Sequence, residues 1–145
     1  MNLEKYDTIV TEDVLSFSFI SVGPKGHIQK LVIYQHVEGP LYNLAFGDRN
    51  GELGTINDLI TSDNKDTEKV LATVASTIFD FFAVHTGTIV LAQGSSHSRT
   101  RLYRRYLTTF FDFIDKEFLL YGELDDKIER FIKGKDYRAF LITKK

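Results

Sequence analysis

The chain contains no cysteine. That absence removes a disulfide framework, a thiolate metal site and a cysteine nucleophile together, and it turns the reading away from a small secreted scaffold. Residues 1–7 carry neither the basic nor the apolar stretch of a secretory leader, and no later run approaches the roughly 18 uninterrupted apolar residues of a membrane span. The expectation is a cytoplasmic protein with no membrane partner. An excess of one charge is missing as well: 18 basic and 20 acidic side chains give a net charge of -2. Nothing therefore pulls the whole chain toward nucleic acid or an anionic surface, and any polyanion site has to come from local clustering. Internal repeats, linkers and low-complexity tracts are absent too.

What the chain does have is apolar mass. Its 145 residues are 43% hydrophobic and 13% aromatic, with twelve Phe and seven Tyr. A chain of this length buries about two-thirds of its unfolded surface, enough for one core, so a single domain over 1–145 is expected.

The hydrophobic period sets the order of elements. Val14 to Val22 alternates, with Leu15, Phe17 and Phe19 toward one side and Ser16, Ser18 and Ser21 toward the other, the signature of a half-buried strand. Gly23-Pro24-Lys25-Gly26 breaks the run, and Ile28 to Val37 resumes it, so a hairpin is predicted. A third strand runs from Leu41 to Gly47 and ends in the turn residues Asp48-Arg49-Asn50-Gly51.

The period then lengthens. Val70, Val74, Ile78, Phe81 and Phe82, with Leu71 and Ala75 beside them, form a helical stripe that Asp63, Asn64 or Asp66 could cap. Thr88 to Ala92 reads as a central strand covered on both faces. Ser98 to Lys116 reads as a second helix with a core stripe of Leu102, Tyr106, Phe110 and Phe113 or Ile114, widened by Tyr103, Leu107 and Phe111. Phe118 to Tyr121 suits a brief strand or a helix tail, Asp125 to Ile132 a short helix, and Tyr137 to Thr143 a final strand. The fold class is α+β: an N-terminal antiparallel β-meander, then two main helices flanking a central strand, then a short helix and strand.

One segment departs from the background composition. Four of the seven arginines lie between Arg99 and Arg105, directly after Gly94, Ser95 and Ser96. A strand that turns through glycine and serine into a helix leaves backbone N–H groups and the positive end of the helix dipole pointing outward, where anions are stabilised. Arginines at that end oppose the dipole, and Asp112, Asp115 and Glu117 near the far end of a helix reaching Lys116 oppose it again. A phosphate or carboxylate held by Arg99, Arg101 and Arg105 with Ser95, Ser96 and Thr100 would offset that polarity. The competing reading spreads the arginines over the solvated face, paired with the seven acidic residues from Asp112 to Glu129.

Other chemistry is thinner. The segment lacks the lysine of a phosphate-binding P-loop and the spaced glycines of a dinucleotide fingerprint, so no cofactor is implied. His27, His36, His85 and His97 lack the spacing that places two ligands on one metal, and no metal is expected. His97 sits among cations that would keep it neutral, as a general base must be, and Tyr103 follows in the same segment. Ser95 and Ser96 have no Gly-x-Ser-x-Gly elbow to make either a nucleophile. Glu123, Asp125, Asp126 and Glu129 fit a solvated acidic loop as well as a metal-dependent nuclease. Tyr34 and Tyr42 could stack bases on a sheet, although sheet aromatics usually belong to the core.

Gly94-Ser95-x-x-x-Arg99-Thr100-Arg101-Leu102-Tyr103, with the closing Gly134-Lys135-Asp136-Tyr137-Arg138-Ala139-Phe140-Leu141-Ile142, resembles a family of small bacterial proteins found chiefly in Bacteroidota, a domain of unknown function. The likeness covers nearly the whole chain. It implies a bacterial cytoplasmic protein in which the arginine loop matters, and it carries no activity across.

The leading expectation is a binding domain, not an enzyme, whose partner is an anionic ligand or nucleic-acid phosphate gripped at Gly94 to Arg105. One alternative is an RNA- or nucleotide-processing enzyme, such as a component of a toxin-antitoxin pair, with His97 and Tyr103 as its catalytic residues. Another is a protein-interaction module whose aromatic helix pairs with a second copy, as a homodimer, or with a partner.

Overall fold

A computed structural model describes residues 4–50, 55–57, 64–94 and 97–145, with the backbone alone at 50, 55–57, 97 and 99. The fold is α+β, as the periodicities predict, and it divides into two compact units. One comprises the chain up to Tyr34 with Ala45–Val84; the other comprises Gln35–Leu44 with His85–Lys145.

In the first unit a short β1 (Ile9–Val10) pairs antiparallel with β2 (Ser16–Gly23), and β2 pairs antiparallel with β3 (Gly26–Glu38). The hairpin closes at Pro24-Lys25 with Gly23 opposite Gly26, whose φ of 89° is open to glycine without strain. In β2, Phe17 and Phe19 are buried while Ile20 and Val22 face out. Ser21 does not join Ser16 and Ser18. It has the parity of the two phenylalanines and is fully buried, where its hydroxyl donates to Asp66 Oδ2 at 2.5 Å.

After the Gly39-Pro40 turn comes β4 (Leu41–Asn50), longer than its sequence pattern suggests. Asp48, Arg49 and Asn50, predicted as a turn, stay extended and pair antiparallel with β5 (Thr55–Asn57). Asp48 shares the inward parity of Leu44 and Phe46, and an ion pair with Lys30 on β3 meets its charge there. The strand order of this unit is β1-β2-β3-β4, with β5 on β4.

Helix α1 (Thr67–Val84) buries every residue of the predicted stripe. Asp66 stands at its N-cap position; Asp63 lies outside the described residues. Asn64 instead laces the β2–β3 turn, accepting from Lys25 N at 2.7 Å and donating to Gly26 O at 2.8 Å. Tyr34 belongs to the core: its ring stacks on Phe81 at 4.2 Å and its hydroxyl meets Thr77 Oγ1 at 2.9 Å.

The second unit is built around β6 (Ile89–Ala92). It runs parallel to the start of β4, Leu41 opposite Ile89, a pairing that requires a long connection, here one containing α1. Val90 and Ala92 are buried and Ile89 and Leu91 half-buried, so β6 is an inner strand with one face closed. The chain continues through α2 (His97–Thr109), α3 (Phe111–Glu117), β7 (Phe118–Glu123), β8 (Ile128–Arg130) and β9 (Ala139–Lys144). The sheet order here is β3-β4-β6-β9-β7-β8.

Two expectations are corrected in this unit. The helix predicted as continuous over Ser98 to Lys116 is interrupted at Phe110 (φ -102°, ψ 11°), which accepts from Ile114 N while its own amide bonds Tyr106 O. Tyr103, Tyr106, Leu107, Phe110 and Ile114 nevertheless form one buried stripe, and Phe113 faces outward. The helix predicted over Asp125 to Ile132 is instead the loop 124–127 followed by β8. Ile128 and Ile132, whose spacing looks helical, are 56% and 55% exposed, so no buried face holds a helix together there. Among the described residues no helix is long and apolar enough to cross a membrane.

Candidate functional site

The arginine-rich segment leaves β6 through Gln93 and Gly94 and enters α2. Ser95 and Ser96 lie outside the described residues, as do the side chains of His97 and Arg99, although both backbones belong to the first turn of α2. Of the remaining candidates, Thr100 is half-buried, Arg101 and Arg105 are exposed, and Tyr103 is 6% exposed in the core.

Arg101 and Arg105 are one turn apart on one helix face, where residues i and i+4 hold their Cβ atoms about 5–6 Å from each other. Arg101 Nη2 donates to Ser98 Oγ at 3.5 Å. Among the described residues neither arginine has a carboxylate within ion-pair distance. Two like charges in this relation weaken the helix by a few tenths of a kcal/mol, roughly.

Most of the acidic residues from Asp112 to Glu129 are engaged elsewhere. Asp112 pairs with Lys133, Asp115 with Arg130, Glu123 and Asp125 with Arg138, and Glu129 with Lys127 and Lys135. Arg104 takes Asp136, at 3.3 Å. Five of the seven carboxylates from Asp112 to Glu129 are thus met by cations from 127–138 and not by the α2 arginines.

The break at Phe110 also revises the electrostatics of the helix. Asp112 falls in the first turn of α3 and Lys116 in its last, both favourable to that helix's dipole. The last turn of α2 carries no charge of either sign that opposes it, and its first turn has no acidic residue. The unfavourable polarity predicted for one long helix is confined to the start of α2.

The chain matches the family of unknown function DUF6934 over residues 2–145. It belongs to that family. No curated protein and no solved structure matches it.

Three polar clusters in this DUF6934 protein escaped the sequence reading. Lys30 and Asp48 form a buried ion pair, 5% and 8% exposed. The signal was parity: Lys30 alternates with Val32 and Tyr34, Asp48 with Leu44 and Phe46. In the second cluster, Tyr6 donates its hydroxyl to Asp66 Oδ2 at 2.6 Å and accepts from Val22 N at 3.1 Å. Burial, then the Asp66 hydrogen bond, raises the Tyr6 pKa above its ordinary value. In the third, Glu129 Oε2 accepts from Lys135 Nζ and from the Tyr137 hydroxyl, each at 2.7 Å. Those two bonds, Lys135 first, hold the Glu129 carboxyl at about 2, while burial and then Glu129 raise Tyr137.

His36 and His85 both face Tyr42, with ring centroids 5.1 Å and 5.8 Å away, and His36 Nε2 meets Gly39 O at 2.8 Å. Among the described residues no three His, Asp or Glu side chains converge as metal ligands.

Proposed function

We propose that the protein is a non-enzymatic binding domain that recognises a phosphate-bearing ligand, in the first instance a nucleic-acid backbone, through the exposed face of α2. The observation that carries this reading is the pair Arg101 and Arg105, solvent-facing and without a carboxylate among the described residues. The basic residues from Lys127 to Arg138 all have acidic partners. Guanidinium groups bind phosphate oxygens in a bidentate manner, and two of them one turn apart suit successive phosphates or one terminal phosphate. Ser95, Ser96, Arg99 and Thr100 complete the site by their place in the sequence. The absence of cysteine supports a cytoplasmic setting.

The enzymatic alternative would need Tyr103 in contact with substrate, and its burial speaks for binding instead. Fluorescence anisotropy with labelled single-stranded RNA and DNA, and with a nucleotide panel, tests the proposal at low ionic strength. Affinity should fall steeply with added salt, and Arg101→Ala with Arg105→Ala should weaken it by about tenfold or more. Absence of affinity for every probe, or a double variant that binds like the parent, would overturn it.

A further inference from the structure

Residues 4–10 are attached to the first unit in an unusual way. Glu4, Lys5, Asp7, Ile9 and Val10 are all exposed, and one side chain, Tyr6, does most of the anchoring. Its amide donates to Thr73 Oγ1 at 2.8 Å, its hydroxyl bridges Asp66 and the Val22 amide, and its ring lies 5.6 Å from Phe19 at 18°. Lys69 Nζ sits 4.3 Å over the same ring. β1 adds a two-residue ladder, Ile9 opposite Ser18 and Val10 opposite Phe17.

The connection from this arm to β2 is tight and strained. Thr11 N bonds Ser16 O at 3.0 Å, Val14 N bonds Thr11 O at 3.0 Å, and Asp13 Oδ1 accepts from both Thr11 Oγ1 and Leu15 N. Closing that turn forces Val14 to φ 57°. For a β-branched residue the left-handed region is a true outlier, because Cγ atoms crowd the backbone. These contacts are made to residues that a second copy presents identically, and the strained turn is the covalent link between the arm and its own body.

We propose that residues 4–10 are an exchangeable arm and that two copies of the chain trade arms, opening the 11–15 turn, to form a swapped dimer. Tyr6 of one copy then occupies the Phe19–Asp66–Thr73 seat of the other, and Val14 relaxes to an extended conformation in both. A short tether gives its own arm an effective concentration in the millimolar range. Strain at Val14 lowers that advantage by roughly tenfold or more at each of the two hinges, about a hundredfold together, so the dimer forms at protein concentrations on the order of 0.01 mM. Strained short hinges are the known setting for such exchange.

The absence of native cysteine permits a direct test. Ile9→Cys with Ser18→Cys places thiols on directly opposed residues, within disulfide reach. The double variant is refolded over a range of concentrations, oxidised, and resolved on non-reducing gels. Interchain disulfides should rise with refolding concentration. Adding Val14→Gly, which accepts a positive φ, should move their onset to about a hundredfold higher concentration. Intrachain disulfides alone at every concentration overturn the proposal, and so does a dimer by light scattering whose disulfides are intrachain. Should the cysteine pair impair folding, parent and Val14→Gly proteins refolded at the same high concentration decide it by light scattering: more dimer in the parent supports exchange, equal masses refute it.

Discussion

Lys30 faces inward from β3 at a position where its neighbours in parity are Val32 and Tyr34, and its charge is met by the equally buried Asp48. Removing a lysine and an aspartate from water costs several kcal/mol each, which their attraction and hydrogen bond repay only in part. The pair is thus a poor source of stability and a strong constraint, because either partner alone is worse than both or neither. Lys30→Met should destabilise the protein by about 3–5 kcal/mol, and Asp48→Leu by a similar amount. The double substitution should return to within about 1 kcal/mol of the parent or exceed it. Urea denaturation of the four proteins measures the cycle; a double variant as unstable as the sum of the singles would show that the two charges are not each other's main partner. The sequence carried the parity that places both residues inside, but it did not carry the strand pairing that brings β3 and β4 together at that level, and without the partner a buried lysine looks like an exposed one.

Strands and helices with an uninterrupted apolar face were legible from spacing alone. β2, β3, β6 and α1 fall within a few residues of their expected limits because burial of one face determines both the pattern and the element. The turn between β2 and β3 was legible for a different reason, the glycine at positive φ. The break at Phe110 was not, since the stripe Tyr103, Tyr106, Leu107, Phe110 and Ile114 stays in phase across it. β8 was misread because Ile128 and Ile132 mimic a helical face while both stay in solvent; what fixes that strand is non-local, the ladder from Tyr121 and Arg130 and the bond from Glu129 to Tyr137. The candidate site was legible as a cluster of arginines, whereas the pairing of Asp112, Asp115, Glu123, Asp125 and Glu129 with cations from 127–138 follows only from the folded chain. Gly122 on β7 shows the same dependence on distant residues. A Cβ there would fall within the ring of Tyr137, which lies flat against the strand. Gly122→Ala should cost about 2–3 kcal/mol by displacing that ring, and Tyr137→Leu in the same chain should recover part of it. A thermal melt that leaves Gly122→Ala at the parent midpoint would show that the ring moves aside freely.

Among the described residues, three groups with shifts of known direction contribute to the chain's stability as a function of pH. The Glu129 carboxyl is lowered from 4.5 to about 2 in the folded state, so its contribution is fully present above about 4.5 and is lost as pH falls from there toward 2. Tyr6 and Tyr137 are raised from 10.0, so theirs is present below 10.0 and fades as pH climbs beyond it. Between those limits the three groups leave stability flat, and each limb has an owner. Glu129→Gln should flatten the acid limb and also make the alkaline limb shallower, because the Glu129 charge helps hold Tyr137 neutral. Tyr6→Phe should make the alkaline limb shallower, because it removes a hydroxyl whose pKa is raised in the folded state. Denaturant midpoints measured across pH for the parent and both variants separate these contributions. An acid limb unchanged by Glu129→Gln would mean that the Lys135 and Tyr137 bonds to Glu129 are not maintained in solution, and β8 would then lack the side-chain tie that holds it to the turn before β9.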